Sequence, residues 1–176
     1  MTNKIYLTGF MGSGKSTVGP ILANTLGWDF LDLDVIIEQK EGKKISKIFE
    51  DNGEEYFRNL EKEIIHGLSG RKNVIVALGG GTIANQENID FLKKIGKIIY
   101  LKISAEFVYE RLRYKRDRPV LTRDGTVNLS KPEFIEKIAQ LISDRKPYYE
   151  QADIILSVDN MPIGLIIDKL VKVINV

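Results

Sequence analysis

An α/β fold, with a parallel sheet covered by helices on both faces, is the class this 176-residue sequence predicts. Three observations carry that expectation. Short apolar runs alternate with helix-periodic stretches of ten or more residues, the pattern of parallel strands joined by crossover helices. Several runs, Val74-Ile75-Val76-Ala77-Leu78 among them, are apolar at every position, as a strand covered on both faces has to be. A glycine-rich turn joins the first run to the first helical stretch, and ligands of such sheets bind where the strands end.

Residues 4–8 read as the first strand and residues 15–26 as the first helix. Pro20 falls in the second turn of that helix and removes the N–H that would bond the Ser16 carbonyl. An interior proline costs about 3 kcal/mol, so a local kink is expected there. The second strand is expected over 28–34, followed by short helices at 35–40 and 45–51 and a longer one at 54–68. Residues 73–78 form the third strand and run into Gly79-Gly80-Gly81. A helix at 86–94 leads to a fourth strand at 97–103. Ser104 is placed to cap a helix reaching about residue 114. Residues 115–130 are polar and arginine-rich, with no period. A helix at 132–150, a fifth strand at 153–157 and a helix at 162–174 complete the chain. No repeat, linker or low-complexity tract interrupts it, so residues 1–176 are expected to form one domain.

Composition narrows the possible functions. The chain is 43% hydrophobic and 28% charged, a globular balance and not that of a disordered chain. With 26 basic and 24 acidic residues the net charge is +2, which makes no global case for a nucleic-acid or membrane partner. Cysteine is absent, excluding disulfides, thiol nucleophiles and thiolate metal sites. The first apolar run is too short for a signal peptide and no run is long enough to span a bilayer, so a cytoplasmic protein is expected.

The chemistry begins directly after the first strand. Gly9-Phe10-Met11-Gly12-Ser13-Gly14-Lys15-Ser16 fits G-x-x-x-x-G-K-[ST], the phosphate loop of nucleoside-triphosphate-binding proteins. Its glycines let backbone N–H groups turn toward phosphate oxygens, and the following helix adds its positive end. Lys15 would reach the β- and γ-phosphates, and the Ser16 hydroxyl would ligate Mg²⁺. The third strand ends in glycines where many such proteins place an acid for the metal. Asp32 and Asp34, at the end of the second strand, are the candidates in its place. Two apart on a strand, they would share one face, with Leu31 and Leu33 buried on the other. One carboxylate can serve Mg²⁺ while the other accepts a hydroxyl proton.

Gly79-Gly80-Gly81 leaves room for a ligand to pack on the backbone itself, although one glycine would suffice for a turn. Arg58 and Glu61 share a helix face three residues apart. On spacing alone a surface ion pair is the commoner outcome, and a guanidinium held ready for a carboxylate is the alternative. His66, the single histidine, is expected to be solvated and is given no chemistry. Five of the eight residues from Arg111 to Arg118 are basic, which beside a phosphate loop suggests a phosphate-binding cover.

In this order these features resemble the shikimate kinase family over nearly the whole chain. The blocks that carry the resemblance are Asp32-x-Asp34-x-x-Ile37-Glu38, Gly53-Glu54-x-x-Phe57-Arg58-x-x-Glu61, Leu78-Gly79-Gly80-Gly81, Arg118-Pro119 and Arg145-x-Pro147-x-Tyr149-x-x-Ala152-Asp153. The resemblance implies a three-layer α/β/α P-loop kinase fold with a five-stranded parallel sheet, a substrate-binding subdomain near 34–61 and a mobile lid near 114–130. It implies ATP-dependent phosphorylation of the 3-hydroxyl of shikimate, on the route to chorismate and aromatic amino acids. Carried over by position, Gly12, Ser13, Gly14, Lys15, Ser16, Thr17, Arg111, Arg118 and Pro162 would bind ATP, with Arg111 and Pro162 sandwiching adenine. Ser16 and Asp32 would hold one Mg²⁺. Asp34, Phe49, Phe57, Arg58, Glu61, Gly79, Gly80, Gly81 and Arg145 would form the shikimate pocket, with both arginines on its carboxylate. Lys15, Asp34 and Arg118 would carry the transfer, and a monomer is expected. A gluconate or nucleotide kinase of the same fold, and a nucleotide-binding regulator without turnover, are the alternatives.

Overall fold

The structure, a computed structural model, describes residues 3–112 and 130–174. The first half contains β1 (Lys4–Thr8), α1 (Lys15–Leu26), β2 (Asp29–Asp32), α2 (Leu33–Glu41), α3 (Ile45–Gly67) and β3 (Val74–Ala77). The second contains α4 (Gln86–Ile95), β4 (Lys97–Lys102), α5 (Ala105–Leu112), α6 (Lys131–Tyr149), β5 (Ile154–Ser157) and α7 (Ile163–Ile174). The five strands pair in parallel in the order β2-β3-β1-β4-β5.

Alternation along the strands feeds two cores. Ile5 and Leu7 of β1, with Ile75, Ile99 and Leu101, pack against Val18 and Leu22 of α1, Val108 of α5 and Leu170 of α7. Tyr6, Val76, Ile98 and Tyr100 face the other way, onto Ile37 of α2, Ile48 and Phe57 of α3 and Leu92 of α4. Because both faces are covered, the middle positions of the central strands, Ile5 to Leu7, Val74 to Ala77 and Ile98 to Leu101, are apolar throughout. Helix α6 supplies Ile138 to the first core and Tyr149 to the second. Its C-terminal end therefore lies on the side of α2 and α3.

The second strand is shorter than expected. It stops at Asp32, the register partner of Ala77, where β3 also ends and no neighbour remains to pair with. The Asp32 side chain instead accepts the Asp34 N–H at 3.1 Å and caps α2. Asp34 thus sits in the first turn of a helix, which corrects its placement on the strand face beside Asp32. Leu33 is fully buried and Leu31 partly so. The two helices expected at 45–51 and 54–68 join into α3, broken by the non-helical backbone of Gly53 (φ +81°, ψ 177°). Helix α1 continues through Pro20 as one element. Ser16 and Pro20 are both exposed, so water can serve the carbonyl that lost its donor. Ser104 accepts the Phe107 N–H at 3.4 Å, as a cap should. Among the described residues, no helix is long and apolar enough to cross a membrane.

Candidate active site

Strand register brings three loops together. Leu7, Ala77 and Asp32 are partners across β1, β3 and β2, so the segments after these strands leave the sheet at one level. The phosphate loop follows β1, the triple glycine follows β3, and α2 starts at the end of β2. Gly14 caps α1 in the left-handed conformation (φ +100°), which lets the loop curl back on itself. No side chain caps the helix and no acid stands in its first turn, so its N-terminal dipole and N–H groups are left to an anion. Lys15 Nζ lies over the loop, donating to the Gly9 carbonyl at 2.7 Å and to that of Phe10 at 3.4 Å. Ser13 is buried and spends its N–H on the Phe10 carbonyl at 3.0 Å, whereas Ser16 and Thr17 are exposed at the start of α1. Arg111 donates to the Gly12 carbonyl at 2.7 Å, placing it on the rim of the loop. Pro162 is exposed in the turn before α7. Arg118, and all of the expected lid except Ser130, lie outside the described residues.

Ser16 Oγ donates to Asp32 Oδ2 at 3.0 Å, so a hydroxyl and a carboxylate oxygen meet beside the phosphate loop. An all-oxygen pair of this kind fits a hard divalent cation such as Mg²⁺. Among the described residues, no three or more His, Asp or Glu side chains are grouped to hold a metal by themselves. That also suits Mg²⁺, which usually completes its shell with water and substrate phosphates.

The triple glycine orders the rest of the pocket. A Cβ on Gly79 would lie 2.9 Å from Asp34 Oδ1, one on Gly80 3.6 Å from Arg145 Nη1, and one on Gly81 2.6 Å from Arg58 Nη2. Consecutive glycines therefore leave room beside two acids, Asp34 and Glu61, and then beside two guanidinium groups in turn. Arg58 Nη1 donates to Glu61 at 2.5 Å, and its Nη2 to Glu54 at 3.1 Å. Glu61 is 1% exposed and also accepts the Thr82 hydroxyl, so this is no ordinary surface pair. Burial acts against the charge on Arg58, and its partners Glu61 and Glu54 outweigh that and raise its pKa. Arg145 Nη1 donates to the Gly80 carbonyl at 2.8 Å, and its guanidinium lies 5.7 Å over the Phe10 ring. Phe49 and Phe57 pack with ring centres 4.5 Å apart, and Arg58 stands 5.4 Å over Phe57.

Among the described carboxylates, Asp34 stands apart electrostatically. Burial first, then the carboxylates of Asp32 and Glu61, push its pKa from 3.8 to about 6, with Lys15 pulling the other way. Such a group is tuned toward accepting a proton near neutral pH. Three contributors to the pocket had no part in the expected set: Thr82, which fastens Glu61; Phe10, under Arg145; and the Tyr149 hydroxyl. Thr82 directly follows the glycines and Phe10 lies inside the phosphate-loop motif, but neither position declares a side-chain role. His66, exposed as expected, stacks on Phe91 with ring centres 3.9 Å apart.

A parallel three-layer sheet with a phosphate loop after β1, facing an acid at the start of α2, defines a P-loop kinase for a small-molecule acceptor. The comparisons make the class particular. The shikimate kinase family model matches residues 11–175, so the chain belongs to the shikimate kinase family. A shikimate kinase from Chlorobium limicola is 44% identical over 170 residues, covering 97% of this chain and 85% of its own. The crystal structure of shikimate kinase from Bacteroides thetaiotaomicron superposes with a TM-score of 0.88 at 31% identity, covering 98% of both chains. Shikimate kinase from Acinetobacter baumannii, in complex with shikimate, gives a TM-score of 0.86 at 35% identity, covering 97% of this chain and 92% of that one.

Proposed function

We propose that this protein transfers the γ-phosphoryl group of ATP to the 3-hydroxyl of shikimate, forming shikimate 3-phosphate and ADP on the route to aromatic amino acids. The observation that carries the reading is the order of contacts along the triple glycine: Asp34 at Gly79, Arg145 at Gly80 and Arg58 at Gly81. Two guanidiniums suit the carboxylate of a polyol acid, and a carboxylate that feels the charge of Lys15 on the phosphate loop suits one of its hydroxyls. Lys15 and the first turn of α1 neutralise the triphosphate, and Arg118, by the resemblance, adds charge as the γ-phosphate departs. Ser16 and Asp32 would hold Mg²⁺, which would neutralise phosphate oxygens when bound. Asp34 orients the acceptor hydroxyl and takes its proton, while Phe49 and Phe57 wall the pocket against water. Residues 34–61 serve as the substrate subdomain and 114–130 as a lid, in a cytoplasmic monomer that works without nucleic acid or membrane.

ADP release measured with shikimate, quinate, gluconate and nucleoside monophosphates tests the activity. Shikimate is expected to be by far the best acceptor. Faster release with gluconate or a nucleotide would replace the proposed substrate, and no release with any of them would leave a nucleotide-binding regulator. Arg58→Ala and Arg145→Ala are each expected to raise the KM for shikimate ten- to a hundredfold, the worth of a charge-assisted bond of about 1.5–3 kcal/mol. The KM for ATP should move little. Equal weakening toward both substrates would remove the arginines from the carboxylate. Asp32→Asn is expected to raise the Mg²⁺ concentration needed for half-maximal rate, and an unchanged Mg²⁺ titration would take Asp32 out of the metal site.

A further inference from the structure

Tyr149, the last residue of α6, is fully buried, its ring stacked 4.6 Å from that of Tyr100 at an interplanar angle of 9°. Its hydroxyl donates to the Gly80 carbonyl at 3.1 Å. Arg145, one helical turn earlier, donates to the same oxygen at 2.8 Å. A carbonyl has two lone pairs, and these two donors fill them. We infer that Tyr149 is a positioning residue for the substrate, its phenol fixing the peptide between Gly80 and Gly81 so that the Gly81 N–H keeps its aim. The inference rests on the reading of this pocket as the shikimate site.

The reason lies in peptide geometry. In a trans peptide the C=O and the following N–H point in opposite directions, and no cis bond occurs among the described residues. Holding the Gly80 carbonyl toward α6 therefore directs the Gly81 N–H to the opposite side of that peptide. Neither glycine resists rotation on its own, because each lacks a Cβ. Arg145 is the weaker of the two holders for this purpose. It is only partly buried, it ends a long side chain, and its guanidinium is also wanted for the substrate. The Tyr149 ring has two torsions and is locked against Tyr100. Burial raises the phenol pKa, against the opposing pull of Arg145, so the hydroxyl stays a donor. One holder is rigid and the other is shared with the ligand.

Tyr149→Phe removes the hydroxyl and keeps the stacked ring. The Gly80 carbonyl still has Arg145, so no buried acceptor is orphaned. The KM for shikimate is expected to rise about fivefold, the loss of one ordinary hydrogen bond, with the KM for ATP unchanged within about twofold. Amide hydrogen exchange across residues 79–82 should quicken in the ligand-free variant, while that of the central strands does not. A purely structural tyrosine would instead lower the thermal midpoint and leave the shikimate KM where it was, and that result overturns the inference. So does an equal rise in both KM values, unchanged exchange at 79–82, or a variant that does not fold. Arg145→Ala in the same assay separates two failures. If it raises the shikimate KM and Tyr149→Phe does not, the inference falls and the site reading stands. If neither variant moves it, both fall.

Discussion

Lys15→Met is expected to lower kcat by on the order of a hundred- to a thousandfold while the ligand-free protein melts at the wild-type temperature. The ammonium group is held over the loop by the Gly9 carbonyl, 2.7 Å away, and partly by that of Phe10. Those contacts keep it ready; they are not core contacts, and Met retains the stem length without the charge. The N-terminus of α1 carries no acid in its first turn, so Lys15 adds to a dipole that nothing nearby cancels. During transfer, negative charge gathers on the oxygens between the β- and γ-phosphates, and a preplaced cation is worth more there than in the ground state. The KM for shikimate should therefore change less than kcat. Lys15 also lowers the Asp34 pKa, so any residual activity in the variant should need a higher pH. Turnover by coupled ADP release and melting by calorimetry check both halves. A variant within tenfold of wild-type kcat would take Lys15 away from the phosphates.

Much of this was legible in the sequence because the signals were local. The phosphate loop announces itself through glycine spacing, since backbone N–H groups cannot converge on an anion in an ordinary helical or extended chain. Strands β3 and β4 were legible because burial on both faces removes polar residues from Val74 to Ala77 and from Ile98 to Leu101. Asp34 was assigned to a strand for a non-local reason. Nothing near it in sequence says that β3 stops at Ala77, and without that partner the chain turns into a helix capped by Asp32. Arg58 and Glu61 were visible as a pair, but whether the pair was solvated depended on a residue 21 positions away, Thr82, closing over Glu61. Tyr149 presents the same difficulty, since its hydroxyl acts on Gly80, 69 positions earlier. Spacing reveals which side chains share an element, whereas the partner that buries them has to come from the fold.

Asp34→Asn should abolish nearly all turnover and stabilise the free protein at the same time. The carboxylate is to accept the acceptor hydroxyl's proton, and loss of a positioned general base costs typically a hundred- to ten-thousandfold in rate. Asn keeps the size and can still bond a hydroxyl, so the shikimate KM should move less than kcat. Stability should go the other way. The folded pKa of Asp34 is about 6 against 3.8 for the unperturbed group, because burial and the charges of Asp32 and Glu61 disfavour the anion. A raised carboxylate pKa means that the folded state holds the proton more tightly than the unfolded chain does. The favourable contribution is then complete below about pH 4 and is lost as pH rises toward 6. At pH 7 the ionised group costs the fold on the order of 2–3 kcal/mol, a cost the neutral amide avoids. In EDTA and without nucleotide, the variant and the wild type should have similar unfolding free energies at pH 4, with the variant ahead by an increasing margin up to pH 7. The wild-type rate should fall on the acid side with an apparent pKa near 6, before Lys15 or Glu61 is altered. A variant less stable than wild type at pH 7 would mean that Asp34 is not strained by its neighbours, and one that turns over normally would mean that it does not accept the proton. A site that is costly to keep charged and useless when neutral is what the trade between stability and activity looks like at a single residue.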